Sequence, residues 1–212
     1  MPLVDPVIER VLAEYERRSD EEQRRTNFAS PGTNLDELLL SVGREAGTLL
    51  YLLATGAQSR RILELGTSYG YSTVWLAAAA RATGGKVLSL ELRDFKIEHA
   101  RQALTRAGLS TRVEFHQGDC LETLKALPGP FDFVLLDVWK DLYVPCFEAV
   151  YPKLAEEGVI VSDNMIYPEG ARDAVRRLRE AIHAKGDLQT VLLPLGSGIE
   201  LTVKWSAGSA KL

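Results

Sequence analysis

Arg61-Ile62-Leu63-Glu64-Leu65-Gly66-Thr67-Ser68-Tyr69-Gly70-Tyr71-Ser72 decides the fold. Five residues rich in aliphatic side chains run into a turn bracketed by glycines, and a helical stretch over 71–82 begins at once. Such an order is the opening of a βα unit, in which backbone without a Cβ can approach a ligand closely. Working outward, the alternation repeats. Strands are expected at 61–65, 86–91, 112–116, 131–136 and 158–162, separated by helices at 71–82, 96–107, 120–127 and 144–154. Units in series of this kind predict an α/β fold, doubly wound around a mostly parallel sheet. After a helix at 171–185, the runs 188–193 and 199–205 are joined only by Pro194-Leu195-Gly196-Ser197-Gly198. That link is too short for a crossover helix, so the last two of the seven strands should form an antiparallel hairpin. Upstream, helices at 6–18 and 45–55 flank a polar stretch, 19–34, which reads as a mobile connection or lid.

The 212 residues are 46% hydrophobic and 25% charged, with 25 Lys+Arg against 29 Asp+Glu and a formal charge of −4. This composition excludes disordered and collagen-like classes, and its acidic balance argues against a nucleic-acid partner. One domain over 1–212 is expected: a helical or lid region at 1–40, a core at 41–205 and a frayed tail at 206–212. The apolar run 74–80 is far short of the ~20 residues that span a bilayer. No basic segment precedes an apolar core at the amino terminus, so a cytoplasmic protein with no membrane partner is expected. Cys120 and Cys146 lie 26 positions apart with neither a metal nor a disulfide spacing, and should stay reduced.

In an open α/β sheet, ligands sit beyond the carboxyl ends of the strands. The first strand ends in a GxxxG turn, Gly66 to Gly70, where a pyrophosphate site prefers GxGxxG; this favours a nucleoside ligand without phosphates over NAD. Glu91, 25 residues after Gly66, can accept hydrogen bonds from both hydroxyls of a ribose, whether of a dinucleotide or of adenosylmethionine. Asp119 has two readings, an acceptor for an adenine amino group and a plain helix N-cap. Asp137, Asp163 and Asn164 follow the fourth and fifth strands, expected neighbours, and form a hard all-oxygen half-shell suited to Mg²⁺. Lys140, three residues on from Asp137, is a candidate general base, with a solvated Lys–Asp surface pair as the alternative. Trp139 is either a wall for an aromatic substrate or a core side chain. His99, His116 and His183 share no spacing and read as structural.

Together, Glu64-Leu65-Gly66…Gly70-Tyr71-Ser72, Glu91, Leu136-Asp137-Val138-Trp139-Lys140-Asp141-Leu142-Tyr143 and Asp163-Asn164 resemble the metal-dependent class I O-methyltransferases, those of catechol and caffeoyl-CoA above all. The likeness runs from about residue 40 to 205. It implies a Rossmann-like fold and S-adenosylmethionine, its methionine part held by Val42, Glu64, Gly66 and Ser72. Glu91 would take the ribose, and Asp119 and Cys120 would lie by the adenine. Asp137, Asp163 and Asn164 would hold Mg²⁺ or another hard divalent cation, with Asp137 also near the cofactor amine. Lys140 would be the base, Glu200 would hold the second substrate hydroxyl with Asn164 beside it, and Trp139 and Pro168 would wall the pocket. Val138 departs from a histidine of the mammalian catechol enzyme. The implied acceptor is a vicinal aromatic diol; the alternative is a hydroxylated nucleoside in tRNA. An NAD-dependent oxidoreductase and a non-catalytic binding module are the readings from other classes, and both monomers and homodimers occur in the family.

Overall fold

A computed structural model describes residues 4–25 and 33–205. Helix α1 (Pro6–Arg25) leads to α2 (Arg44–Gly56), and then strands and helices alternate: β1 (Arg61–Leu65), α3 (Tyr71–Thr83), β2 (Lys86–Glu91), α4 (Asp94–Arg106), β3 (Val113–Gln117), α5 (Cys120–Ala126), β4 (Phe131–Leu136), α6 (Tyr143–Val150), β5 (Leu154–Ser162), α7 (Arg172–His183), β6 (Leu188–Leu193) and β7 (Ile199–Lys204). The seven strands form one sheet in the order β3-β2-β1-β4-β5-β7-β6. All pairings from β3 across to β5 are parallel, while β7 lies antiparallel between β5 and β6.

The strands are sandwiched, so successive residues enter different cores. Ile62, Phe133, Leu135, Val159 and Val161 pack with Leu50, Trp75 and the buried side of α1; Leu63, Leu65, Val134, Leu136 and Ile160 pack with Phe147, Leu178 and Ile182. Burial on both faces explains why these segments read as near-continuous apolar runs. Sequential strands travel outward from β1 to β3 on one side and from β4 to β6 on the other, with β7 returning between β5 and β6, which puts the switch in strand order between β1 and β4. A ligand crevice opens at such a point.

Several expected boundaries move. Helix α1 continues through 19–25, part of the expected mobile connection, because Glu, Gln and Arg are good helix formers and the stretch stays solvated; its buried residues, Ile8, Val11, Leu12 and Tyr15, all lie earlier, at helical spacing. Residues 26–32 and the expected frayed tail at 206–212 lie outside the described residues. The expected helix over 144–154 stops at Val150, since Pro152 cannot continue it, and Leu154 instead opens β5 opposite Phe131.

Candidate active site

The glycine turn after β1 is shaped by its contact with the next strand. Gly66 has φ +96°, and a Cβ on it would lie 1.9 Å from the carbonyl oxygen of Asp137. Only glycine admits both the backbone conformation and that approach, which joins the two halves of the crevice. Glu64, fully enclosed, accepts hydrogen bonds from Ser72 Oγ and Thr73 Oγ1, both 2.7 Å away, and from Ser89 Oγ. Burial pushes its carboxyl up to about 7, against the pull of those three hydroxyls and with help from the charge of Asp137. Ser72 is therefore committed to Glu64. Val42 is buried in the segment before α2, which also meets the turn: Ser68 Oγ donates to the Leu39 carbonyl, 3.2 Å away.

On the same side, Glu91 ends β2 and accepts from the Ser68 and Arg93 amides at 2.8 and 3.0 Å, one through each oxygen. A carboxylate oxygen has lone pairs to spare, so two ribose hydroxyls can still be held. Asp119 caps α5, its Oδ1 accepting from Leu121 and Glu122 amides at 2.9 and 3.0 Å. The N-cap reading of this residue is what the structure displays. Cys120 is the first residue of α5.

Across the switch point, Asp137 and Asp163 leave the ends of the paired strands β4 and β5. Burial raises both carboxyls, Asp163 to about 7, and the charge of Asp137 pushes Asp163 further the same way. Asp163 is 3% exposed, yet its Oδ1 has no hydrogen-bond partner. Lys140 reaches into this acidic corner: its Nζ donates to Asn164 Oδ1 at 2.6 Å and to Tyr143 Oη at 2.7 Å, and Tyr143 in turn donates to the Asp163 carbonyl at 2.6 Å. Burial lowers the Lys140 pKa, a shift that Asp137 and Asp163 partly oppose. Tyr143 thereby joins the cluster beyond the residues expected from the sequence, where its position three residues after Lys140 is the available signal.

The donor set suits a hard cation. A buried carboxylate oxygen left without a partner beside a second buried carboxylate and an amide oxygen is an arrangement that a divalent ion completes. Among the described residues no cluster of three or more His, Cys, Asp or Glu forms a metal site, so this fit rests on two carboxylates and one amide.

Trp139 is 52% exposed, which decides against the core reading. Beyond Asn164, the amides of Met165, Ile166 and Tyr167 bond to carbonyls of Gly198 and Ser197 in the β6–β7 turn, fastening the chain that carries Pro168. Pro168 lines a cleft of about 330 Å³ with Met165, Ile166, Val175 and Arg179. Glu200 departs from expectation. It stands opposite Ser162 in β7, fully enclosed, with Oε1 accepting from Thr190 Oγ1 at 2.7 Å and Oε2 lying 3.1 Å from Arg179 Nε. Oε1 is thus hydrogen-bonded within the β6–β7 pair, while Oε2 faces Arg179 at ion-pair distance without a hydrogen bond. Tyr15 Oη donates to the Tyr69 carbonyl, and His99 Nδ1 lies 3.2 Å from that same oxygen, which places this histidine in structural packing.

Residues 63–165 match the family described as "Methyltransferase domain". Over 129 residues the chain is 43% identical to "Catechol O-methyltransferase" of Mycobacterium tuberculosis, a match covering 60% of this chain and 58% of that one. The chain thus spans less than two thirds of the length of the catechol O-methyltransferases it matches, 58% and 59% for the two bacterial ones. Cofactor-bound Rv0187 from MTB superposes with a TM-score of 0.74 at 30% identity, over 92% of this chain and 89% of that one. An O-methyltransferase from Bacillus cereus in complex with SAH gives 0.72 at 28% identity, over 94% and 91%. With these matches to its strand order and crevice residues, the chain belongs to the methyltransferase family, and among the named relatives it is similar to catechol and caffeoyl-CoA O-methyltransferases.

Proposed function

We propose that the protein transfers the methyl group of S-adenosylmethionine to one hydroxyl of a vicinal dihydroxy aromatic molecule, with a hard divalent cation, Mg²⁺ in the first instance, at Asp137, Asp163 and Asn164. The observation that carries this reading is the corner where Lys140 Nζ meets Asn164 Oδ1 beside two buried carboxylates. When bound, the sulfonium supplies an electrophilic methyl, and the cation makes a nearby hydroxyl more acidic and offsets the carboxylate charge.

The chain itself does the rest. Glu91 accepts from the ribose hydroxyls while its bonds to Ser68 and Arg93 hold it still. Gly66 lets the turn that lies under the cofactor close against the Asp137 backbone, and Glu64, through Ser72 and Thr73, stiffens the first turn of α3. Asp119 and Cys120 stand by the adenine. Lys140, desolvated and so more readily neutral than a surface lysine, would take the proton of the acceptor hydroxyl. Trp139 and Pro168 would wall the aromatic ring and orient its hydroxyl. Glu200 orients the acceptor indirectly, through Arg179 at the edge of the cleft that Pro168 lines.

The experiment is the initial rate of methyl transfer to caffeate and dihydroxybenzoate with Mg²⁺ and again with EDTA. Turnover that stops with EDTA and returns with metal is the expected result. Cofactor binding without turnover of any catechol would overturn the acceptor class and leave the nucleoside site standing.

A further inference from the structure

Cys120 and Cys146 lie 26 positions apart, separated by the whole of β4, yet the fold sets them side by side. Cys120 opens α5 and Cys146 sits on α6, two helices packed against the same face of the sheet, and their sulfurs are 3.4 Å apart. Both are free thiols. They differ in access: Cys146 is fully buried, whereas Cys120 is partly exposed. An exposed thiol that can meet a reagent, backed by an enclosed one in van der Waals contact with it, is the arrangement of an attacking and a resolving cysteine. A disulfide needs the sulfurs at about 2.05 Å, so the approach still required is small beside the freedom of two χ1 rotations. The direction of the Cys120 shift fits the attacking role: the contact with Cys146 lowers its pKa, while the same contact and burial raise that of Cys146.

We propose that Cys120 and Cys146 form a dithiol–disulfide site, oxidised by small-molecule disulfides, whose state sets the chain's hold on its nucleoside. In the first step the Cys120 thiolate attacks one sulfur of the small disulfide; a Cys120 mixed disulfide forms and one small thiolate leaves. Cys146, giving up its proton, then attacks Cys120 Sγ and expels the second small thiolate. The protein loses two protons and two electrons, and the small disulfide becomes two thiols. The coupling to the nucleoside rests on the function proposed above. Cys120 directly follows Asp119, whose Oδ1 holds the first amides of α5, so drawing Cys120 toward α6 shifts the residue pair assigned to the adenine.

The test is incubation of the reduced full-length protein with glutathione disulfide at neutral pH, an acid quench, intact mass and a non-reducing peptide map. The expected product has lost two hydrogens, carries the Cys120–Cys146 link and is restored by dithiothreitol. Cys146→Ala should instead stop at a lasting glutathione adduct on Cys120. S-adenosylhomocysteine should bind the oxidised wild type about 5- to 10-fold more weakly than the reduced protein, a coupling of ordinary allosteric size. Thiols that remain unmodified, or a wild-type adduct that never resolves, would overturn the disulfide site. A disulfide that forms with no change in affinity would overturn its coupling to the nucleoside. Because the mass readout needs no cofactor, a reduced protein that fails to bind S-adenosylhomocysteine would defeat the cofactor reading and that coupling without touching the disulfide result.

Discussion

The two halves of the crevice treat buried acids differently. On the β1–β2 side, Glu64 sits among three hydroxyls and Glu91 between two backbone amides, so every carboxylate oxygen has a donor from the chain itself. On the β4–β5 side, Asp163 keeps a buried oxygen without a partner, and a single lysine serves a corner that holds two carboxylates. Buried polar groups are normally satisfied. The first half is thus complete as folded and ready to receive hydroxyl groups, while the second has a deficit of positive charge that its own residues do not meet. Under the function proposed above, the satisfied half would hold the cofactor and the unsatisfied half would be where a cation and a movable proton act.

The strongest way to break this contrast is Asp137→Ala. Loss of the cation's charge stabilisation is worth several kcal/mol, so kcat should fall about 1000-fold with S-adenosylhomocysteine affinity reduced far less. A variant that kept a tenth of wild-type turnover would show the acidic half to be structural. Next in size, Lys140→Met should lower kcat about 100-fold, a normal contribution for a general base. Since burial lowers the Lys140 pKa, the wild-type rate should rise with pH and level off below the ordinary lysine value of 10.5; the variant should lose that limb, which a pH–rate profile of both will reveal.

Glu64→Gln sharpens the other half. The folded-state pKa of Glu64 is raised from 4.5 to about 7, so the folded protein holds this proton more tightly than the unfolded chain does. Its contribution is complete below pH 4.5 and is lost as pH rises through about 7, on the order of 3 kcal/mol across the window. Urea denaturation at pH 5 and pH 8 should show that decline in the wild type and a much flatter response in Glu64→Gln. The smallest effect belongs to Asp163→Asn. Removing a buried charge should stabilise the metal-free protein by about 1 kcal/mol, roughly 3 °C in Tm for a chain of this size, while abolishing any stabilisation by Mg²⁺. A lower Tm without metal would mean that the Asp163 charge is compensated after all.

Much of this was legible before any coordinates. Strands at 61–65 and 131–136 coincide with the observed ones because strands buried on both faces leave uninterrupted apolar runs, and those at 86–91 and 188–193 coincide although they are less buried. The acidic corner was legible because strand ends at a switch point are fixed by topology, and a run such as Asp137 to Lys140 stays local. Side-chain register farther out was not. Glu200 reads as a rim acid until β7 is known to slot between β5 and β6, which commits it to Thr190 and Arg179. The charged continuation of α1 over 19–25 reads as a connection because it lacks an apolar stripe, the main helical signal in sequence. The meeting of Cys120 with Cys146 carries no sequence signal at all, since it arises from two helices packing on one sheet face.

The placement of β7 also bears on the order in which the protein can assemble. β5 delivers Asp163, but its outer neighbour is the last strand described, and the chain following Asn164 is tied to the turn just before that strand. During synthesis from the amino end, the nucleoside half can pair β1, β2 and β3 early, from contacts close in sequence. The acidic half must wait. Until Ile199–Lys204 has arrived between β5 and β6, Asp163 and Asn164 lie on an open sheet edge, so a nascent chain can form the β1–β3 half of the crevice well before the acidic half.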